Sequence, residues 1–341
     1  MKVLTIVIPA YNSAAFLDRC VSSMLVPELL EKLEIIIVND GSTDATEEIA
    51  LGYCGRYPDM VRLISQENRG HGGALNTGCA AARGNYLKVV DADDWVETRN
   101  LPEFLTLLER CDSDVVLTHH HTVDISTGEV KNWRSYPRTF GVSVPFGEVL
   151  ANWKDFDRSL TFHGITYRTA FYRENGIPLS EHVFYEDHEY ATFPCCRADS
   201  VTCFDLFVYD YRIGDVNQSV SDANQLRRIG HIETVLRRMA EEYGKLPEGD
   251  GKRYAARKLQ GLALSYLTIS LLSEPDRKRG RLLAARLMEA FQTDTPEVYC
   301  LLKGKYSVFC LLNRLRVRRQ TWNRILNSRL YNRLRKNHSF A

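Results

Sequence analysis

Two aspartates separated by one residue are the strongest candidates for chemistry in this chain of 341 residues. Asp91, Ala92 and Asp93 directly follow the apolar run 86–90, and Asp94 comes next. Carboxylates at the end of a strand can hold a hard divalent cation such as Mg²⁺ together with diphosphate oxygens. Aspartates also cap helices in ordinary turns, so this spacing alone does not establish a metal site.

Five apolar, β-branched runs, four before these positions and one after them, must supply the framework that holds them. They are Leu4–Ile8, Glu34–Val38, Val61–Ile64, Tyr86–Val90 and Asp114–Leu117. Segments of helical length separate them, and this β-α-β rhythm predicts an α/β fold with a mostly parallel sheet flanked by helices. Ligands of such sheets bind beyond the carboxyl ends of the strands, where the aspartates lie.

The loops after the first four runs are polar or rich in glycine, which is the layout of a nucleotide site. Asn12 or Ser13 is predicted to cap the first helix. Asp94 is predicted either to cap a helix beginning near Trp95, which is the favoured role, or to orient the neighbouring carboxylates around a cation. A dinucleotide fold would need G-x-G-x-x-G in the first turn, which contains no glycine. No G-x-x-x-x-G-K-[ST] phosphate loop occurs either.

Taken in order, these loops resemble the successive signatures of the family 2 glycosyltransferases. The segments that carry the resemblance are Val7-Ile8-Pro9-Ala10-Tyr11-Asn12, Val38-Asn39-Asp40-Gly41-Ser42-Thr43-Asp44, the N-x-G-x-x-x-A-x-N-x-G run 68–78, and Asp91-Ala92-Asp93-Asp94. A further segment, Phe184-Tyr185-Glu186-Asp187, resembles the family's E-D motif. The resemblance implies the GT-A fold and an inverting reaction.

In this family, certain residues contact the nucleoside, and the matching positions of this sequence can be assigned the same roles by resemblance. The resemblance implies that Pro9, Ala10 and Tyr11 pack against the nucleoside and that Asp40 binds the base, usually uracil. A carboxylate suits the N3–H donor of uracil, although Asp40 is also a typical turn residue.

Other positions are implied to line the nucleotide and sugar side of the site. Asn68, Arg69 and Gly70 would line this side, with Arg69 as a surface cation the alternative. Asp91, with Ala92 beside it, would face the ribose and sugar. Asp93 would bind Mn²⁺ or Mg²⁺, which bridges the diphosphate.

Asp187 is the predicted catalytic base, by resemblance to the E-D motif. An acceptor hydroxyl that attacks the anomeric carbon must lose a proton, and a positioned carboxylate can take it. The polar neighbours that could shift its pKa, or form the solvated face of a helix instead, are Glu181, His182, Glu186, His188 and Glu189.

The predicted function is transfer of one hexosyl or N-acetylhexosaminyl unit from a nucleotide-diphosphate sugar, with UDP-sugars favoured. The acceptor is predicted to be a hydroxyl of a glycan or lipid-linked molecule in the synthesis of bacterial surface polysaccharide.

No Q-x-x-R-W motif follows the segment 209–212, which counts against a processive synthase. A catalytically silent nucleotide-sugar-binding or assembly protein on the same fold is the alternative. A nucleotidyltransferase is a weaker third option. Such an enzyme would normally carry a glycine-rich, lysine-bearing phosphate loop near the N-terminus, and the first turn here contains neither residue type.

Three histidines, two cysteines and a further aromatic segment are weaker candidates. His119, His120 and His121 are not expected to converge on a metal, since successive side chains of a strand alternate faces. Cys195 and Cys196 lack zinc-site spacing and are predicted core residues. His163, Tyr167 and Arg168 are predicted to be structural or to line the acceptor pocket.

Residues 1–222 are predicted to be the GT-A domain, with 1–120 on the donor side and 121–222 on the acceptor side. Helical spacing predicts a helical extension over 223–341. The chain has 44 basic and 43 acidic residues, but residues 298–341 contain eleven basic and no acidic ones.

The region 308–336 reads as a basic amphipathic helix with Trp322, Leu326, Leu330 and Leu334 at helical spacing. It is predicted to lie on an anionic membrane surface or to pack on the catalytic domain. No nucleic-acid partner is predicted. The absence of signal-peptide and membrane-spanning patterns, together with nine cysteines lacking a C-x-x-C pair, predicts a cytoplasmic protein, with or without association with the inner face of the plasma membrane.

Overall fold

A computed structural model of the chain describes residues 2–215 and 222–326. Contacts divide the described residues into two compact units. The first is drawn from Met1–Gln218 and Leu246–Ala255, and the second from Ser219–Lys245 and Ala256–Ala341. The segment 246–255 therefore groups with the first unit, and the domain boundary near residue 222 stays a prediction. Among the described helices, none combines the length and the apolar character needed to traverse a bilayer.

The first unit contains a sheet in which ten strands are described. They are β1 (Leu4–Ala10), β2 (Leu33–Asp40), β3 (Val61–Gln66), β4 (Tyr86–Val89), β5 (Trp95–Val96), β6 (Val115–Asp124), β7 (Val130–Trp133), β8 (Ser143–Pro145), β9 (Ile165–Arg168) and β10 (Ser200–Ile213). The order is β3-β2-β1-β4-β9-β6-β10-β5, with β7 paired to β6 and β8 to β10. All five predicted runs form strands.

The sheet contains antiparallel strands, but most of its paired residues lie in parallel ladders, as predicted. Strands β3, β2, β1 and β4 are parallel to one another, as are β6 and β10. Strand β9 lies between β4 and β6 and is antiparallel to both. Strands β1 to β4 form the parallel β-α-β half, where each crossover needs a helix. Every antiparallel pairing involves a strand from residue 115 onward.

Helices flank this sheet and form the second unit. Those before residue 216 are α1 (Ala14–Ser22), α2 (Thr46–Arg56), α3 (Gly70–Ala81), α4 (Leu101–Leu108), α5 (Phe146–Ala151), α6 (Trp153–Phe156), α7 (Thr169–Asn175) and α8 (Asp187–Tyr190). Those after residue 221 are α9 (Asp222–Arg227), α10 (Ile229–Lys245), α11 (Asp250–Thr268), a π-helical turn (Ile269–Ser273), α12 (Arg277–Asp294), α13 (Pro296–Arg314) and α14 (Arg319–Leu326).

Strand β2 shows why its sequence is apolar without alternation. Ile35 and Ile37 belong to one core cluster, and Ile36 and Val38 belong to another on the opposite face. Helices cover both faces, so each side chain of the strand is buried. The continuous run Ile35–Val38 therefore encodes a central strand.

The predicted caps are wrong at two helix starts. Neither Asn12 nor Ser13 caps α1 through its side chain; the amide of Ala14 donates to Asp44 Oδ2 at 3.1 Å. Asp44 replaces a local cap because the loops after β1 and β2 meet at one edge of the sheet.

The second correction concerns Asp94. Trp95–Val96 form strand β5 rather than a helix, and Asp94 accepts hydrogen bonds from the Tyr209 hydroxyl and the Arg212 amide instead. The antiparallel pairing of β5 with β10, far away in sequence, overrides the local helix-cap signal.

Candidate active site

The loops after β1, β2 and β3 are joined at the carboxyl edge of the parallel strands. The Asn12 side chain accepts a hydrogen bond from the Thr43 amide at 2.8 Å, which links the first two loops. The Arg69 amide donates to Asp40 Oδ1 at 2.9 Å, which links the second loop to the third. Residues separated by about thirty positions thus share one edge.

Asp40 is buried at the end of β2 and is held across strands rather than within a local turn. Its Oδ1 accepts from Gln66 Nε2 at 2.7 Å as well as from Arg69, and its carbonyl accepts from Asn68 Nδ2 at 3.0 Å. Its Oδ2 is buried and accepts no hydrogen bond from any described residue. Because buried carboxylate oxygens are normally satisfied, this atom is suited to an N–H donor from a ligand.

Pro9, Ala10 and Tyr11 occupy the end of β1 and the start of its loop. Pro9 and Ala10 are buried in the strand, whereas 53% of the Tyr11 surface is exposed. Of the three, Tyr11 therefore offers a ring face to a ligand, and the other two contribute backbone and shape.

Asp91, Asp93 and Asp94 form an acidic cluster after β4, with one carboxylate oxygen of each lying within 4.8 Å of the others. Burial and the charge of Asp91 raise the pKa of Asp93 to about 6. Burial and both neighbouring carboxylates raise the pKa of Asp94 well above its ordinary value. Such an accumulation of negative charge favours a divalent cation.

The three carboxylates differ in what they already bind. Asp94 uses one oxygen for Tyr209 and the other for Arg212, and Asp91 Oδ1 contacts a histidine. Asp93 Oδ2 lies 3.8 Å from Arg212, and its side chain is partly exposed. The cluster thus fits a cation with Asp93 as its most available protein ligand.

His71 joins this cluster to the E-D segment. Its Nε2 lies 2.8 Å from Asp91 Oδ1 and its Nδ1 lies 2.5 Å from Glu186 Oε1. Burial opposes a charge on the ring, but Asp91 and Glu186 together raise the pKa of His71 well above the ordinary histidine value. The ring is therefore protonated at neutral pH and donates to both carboxylates.

Asp187 begins α8, directly after Glu186. Tyr185 adopts a left-handed conformation with φ at 78°, and the turn that it makes brings the E-D segment to the aspartates. Burial and then the charges of Asp94, Asp91 and Asp187 raise the pKa of Tyr211. The Asp187 carboxylate therefore lies within electrostatic reach of the same tyrosine as the acidic cluster.

The glycine-rich run 68–78 receives the segment that leads to Glu186. A Cβ on Gly70 would lie 2.8 Å from the His182 amide nitrogen, and one on Gly72 would lie 2.1 Å from the Ser180 carbonyl oxygen. The Arg69 carbonyl accepts from His182, and the Arg69 guanidinium pairs with Glu181. Arg69 is therefore an anchor for this segment rather than a lone surface cation.

Aromatic rings lie beside the acidic cluster. His163 stacks on Tyr211 with ring centroids 4.3 Å apart and meets Tyr209 edge-on at 4.9 Å. Its carbonyl accepts from the buried Lys88 amine at 2.7 Å. Tyr167 is instead in the core, and Arg168 pairs with Asp114. His163 is thus the member of its predicted group that lies near the acidic cluster.

The histidine triplet of β6 is divided among separate partners. His119 lies 3.2 Å from Asp205, and His121 lies 2.7 Å from Asp210. Burial lowers the pKa of His120 to about 3, so this ring is neutral.

The sequence interpretation missed His71 as part of the site, and it singled out the segment 209–212 without assigning these contacts to Tyr209 and Arg212. Their roles depend on contacts between residues 115 to 118 positions apart, which no local pattern encodes. The signal that was available for His71 is a titratable side chain inside a run of small residues at a helix start.

Known proteins are similar to this chain in the part that carries the sequence motifs. The family described as "Glycosyl transferase family 2" matches residues 5–173. The uncharacterized glycosyltransferase YibD of Escherichia coli is 40% identical over 134 residues, which are 39% of this chain and 38% of YibD. Chondroitin synthase of E. coli is 30% identical over 186 residues, which are 47% of this chain and 26% of that enzyme. The chain thus spans less than half the length of these relatives.

Solved structures extend the similarity in fold. S. aureus TarS 1–349 in complex with UDP-GlcNAc has a TM-score of 0.68 at 20% identity, covering 92% of this chain and 89% of TarS 1–349. The mannosyltransferase PcManGT from Pyrobaculum calidifontis, in complex with GDP-Man and Mn²⁺, has a TM-score of 0.52 at 16% identity, covering 91% and 84%. The predicted GT-A fold with a helical C-terminal region is confirmed. Through residues 5–173, the chain belongs to glycosyl transferase family 2.

Proposed function

We propose that the protein is an inverting glycosyltransferase that moves one sugar from a UDP-sugar to a hydroxyl of a glycan or lipid-linked acceptor in polysaccharide synthesis. The observation that carries the proposal is the His71 bridge. It joins the acidic cluster at the donor side to the E-D segment, which holds the candidate base. A donor and an acceptor hydroxyl would meet between these two groups of carboxylates.

The relatives support a nucleotide-sugar donor. TarS was solved with UDP-GlcNAc and PcManGT with GDP-Man, and chondroitin synthase is named for a polysaccharide product. These names support a hexosyl or N-acetylhexosaminyl unit as the group transferred. The unpartnered Oδ2 of Asp40 favours uracil, because the N3–H of this base is a donor that a carboxylate oxygen can satisfy.

A divalent cation fits the site through Asp93, with Asp91 beside it. When bound, Mn²⁺ or Mg²⁺ would offset the negative charge of the diphosphate. The protein's own contribution is to hold these carboxylates close together. Arg212 and the His71 imidazolium limit the repulsion among them.

Proton removal is assigned to Asp187. Its carboxylate would take the proton of the acceptor hydroxyl as the oxygen forms a bond to the anomeric carbon. The bond between that carbon and the diphosphate oxygen breaks from the opposite face, and its electrons leave with UDP. Attack opposite the leaving group inverts the configuration at the anomeric carbon.

A glycan acceptor is supported by the rings beside the cluster. His163 and Tyr211 present stacked rings close to the aspartates, and flat apolar faces pack well against the C–H faces of a sugar. The lysine-anchored backbone of His163 fixes this pair in place.

Replacing the candidate base, Asp187, should impair turnover without impairing donor binding. We expect Asp187→Asn to lower turnover by about a hundredfold or more, since an amide cannot take the proton. UDP affinity should change little, because Asp187 is assigned to the acceptor. The measurement is UDP release from a panel of UDP-sugars, beside calorimetric titration with UDP.

Asp59→Asn is the matched control, since Asp59 is exposed at the opposite end of β3, and its turnover should equal that of the wild type. Full turnover in Asp187→Asn would exclude Asp187 as the base. A wild-type protein that binds UDP but releases none from any donor would favour the silent binding protein.

A further inference from the structure

Helix α13 has two apolar faces, of which only one is packed. Val298, Leu302, Phe309 and Asn313 are buried within the second unit. Leu301, Val308 and Leu311, together with Leu315 directly after the helix, are 49%, 47%, 56% and 65% exposed. At 100° per residue, the exposed set is centred about 130° around the helix axis from the buried set. We name these four exposed side chains the α13 stripe.

The α13 stripe is a continuous surface. Its positions, together with Gly304, follow the alternating spacing of three and four residues that places side chains on one side of a helix. Scattered exposed apolar residues are ordinary, but a contiguous row of them marks an interaction site.

Positive charge lies on both sides of the stripe. Lys305 lies on one flank, and Lys303 and Arg314 lie on the other, all exposed. The sequence from residue 298 onward contains no acidic residue. Glu297, one residue earlier, accepts a hydrogen bond from the Tyr243 hydroxyl. Apolar side chains between basic flanks match a membrane interface, where acyl chains lie beneath anionic headgroups.

A second copy of the chain fits this surface less well. Pairing two stripes would bring Lys305 and Arg314 of both copies to one seam without acidic partners in this region. Gly304 would leave a gap in the middle of such a seam, because it has no side chain to pack. Charge and shape therefore both favour a lipid surface.

The tail helix gives a different result from its sequence prediction. Trp322 of α14 packs edge-on against Phe309 of α13, with ring centroids 5.9 Å apart. Leu330 and Leu334, also predicted for the membrane-facing side, lie outside the described residues. Most of the exposed apolar surface in the described part of this region is thus on α13, beginning at Leu301, and Ile325 of α14 is 42% exposed.

We propose that the α13 stripe and its basic flanks dock the protein on an anionic lipid bilayer. The stripe would enter the boundary between headgroups and acyl chains, and Lys303, Lys305 and Arg314 would contact lipid phosphates. This inference does not depend on the proposed transfer reaction.

The test is co-sedimentation of the full chain with vesicles of phosphatidylcholine alone or mixed with phosphatidylglycerol. We expect binding to the mixed vesicles, weaker binding at high salt, and little binding to phosphatidylcholine. The double variant Leu311→Asp/Leu315→Asp should lower the bound fraction by about tenfold or more, since it buries charge in the interface. Leu282→Asp is the matched control, because Leu282 is 52% exposed on α12 of the same unit.

A second pair of variants tests the flanks. Lys303→Gln/Arg314→Gln should weaken binding to the mixed vesicles by about tenfold and reduce its salt dependence. Circular dichroism and thermal melting establish that each variant is folded.

Each of the following results would overturn the proposal. The first is equal wild-type binding to both vesicle types, and the second is equal loss in Leu282→Asp. The third is undiminished binding in the stripe variant, which would assign the lipid contact to another segment such as 327–341. A dimer in sedimentation velocity that the stripe variant abolishes would identify the surface as an interface between copies instead.

Discussion

At the scale of single residues, His71 connects the two halves of the site. Its ring lies between Asp91, which follows β4, and Glu186, which precedes α8. Glu186 is buried, and its second oxygen has no described hydrogen-bond partner. The carboxylate therefore depends on His71 for compensation of its charge, and the E-D segment depends on the same contact for its position.

Removing the imidazole should leave Glu186 as an uncompensated buried charge. We expect His71→Ala to lower the free energy of unfolding by about 2 kcal/mol, as breaking a partly buried ion pair does. The double variant His71→Ala/Glu186→Gln should be less destabilised than the sum of the two single variants, by about 1 kcal/mol. Urea denaturation of the four proteins gives this coupling energy. Additive effects would show that the bridge contributes no interaction of its own.

At the scale of elements, the start of α3 must accept close backbone approach. The Ser180 carbonyl occupies the space where residue 72 would carry a Cβ, so Gly72 sets the distance between α3 and the E-D segment.

Substitution of this glycine should move that segment. We expect Gly72→Ala to destabilise the protein by about 2 kcal/mol through overpacking and to reduce turnover. Gly55→Ala in α2 is the control, since a Cβ there meets nothing within 4 Å and should be neutral or mildly stabilising. Thermal melting and the UDP-release assay measure the two effects. Wild-type turnover in Gly72→Ala would contradict this role of the glycine.

Strand β4 buries an amine beneath the acidic cluster. Lys88 donates to the His163 and Ile165 carbonyls, and burial lowers its pKa to about 7. An unfolded chain holds the lysine proton up to about pH 10.4. As pH falls between these values, the unfolded form binds the proton first, so the contribution of Lys88 to stability decreases.

This linkage gives a pH test. Between about pH 9 and about pH 7, the wild type should lose about 2 kcal/mol of unfolding free energy relative to Lys88→Met. Lys131→Met, at an exposed lysine of β7, should show no such difference from the wild type. Urea denaturation at both pH values provides the comparison. Parallel pH dependence in the wild type and Lys88→Met would mean that the buried amine keeps an ordinary pKa.

How much of the structure the sequence could predict depends on how far apart the interacting residues are along the chain. The run Ile35–Val38 reports its burial directly, because a strand covered on both faces must be apolar at every position. Strands β5 and β9 depend on distant antiparallel partners, so local propensity could not reveal them. In the same way, Asp94 carries a helix-cap signal, but Tyr209 and Arg212 take its oxygens.

At the scale of the whole molecule, the carboxylates of the candidate site and the basic segment of the sequence lie in different parts of the chain. The carboxylates of the candidate site lie in the first unit, and the basic residues after position 297 lie in the second. The proposed transfer reaction and the proposed lipid binding thus rest on different parts of the chain, and the two properties are testable one at a time.

The measurement that tests the central claim most directly is calorimetric titration of the purified protein with UDP, with and without Mn²⁺. GDP and CDP serve as comparison nucleotides, and Asp93→Asn as the variant. We predict UDP binding that strengthens at least about tenfold with Mn²⁺ in the wild type, and loss of this gain in Asp93→Asn. Equal UDP affinity of the wild type and Asp93→Asn in the presence of Mn²⁺ would contradict the metal assignment, and absence of nucleotide binding by the wild type would contradict the donor site itself.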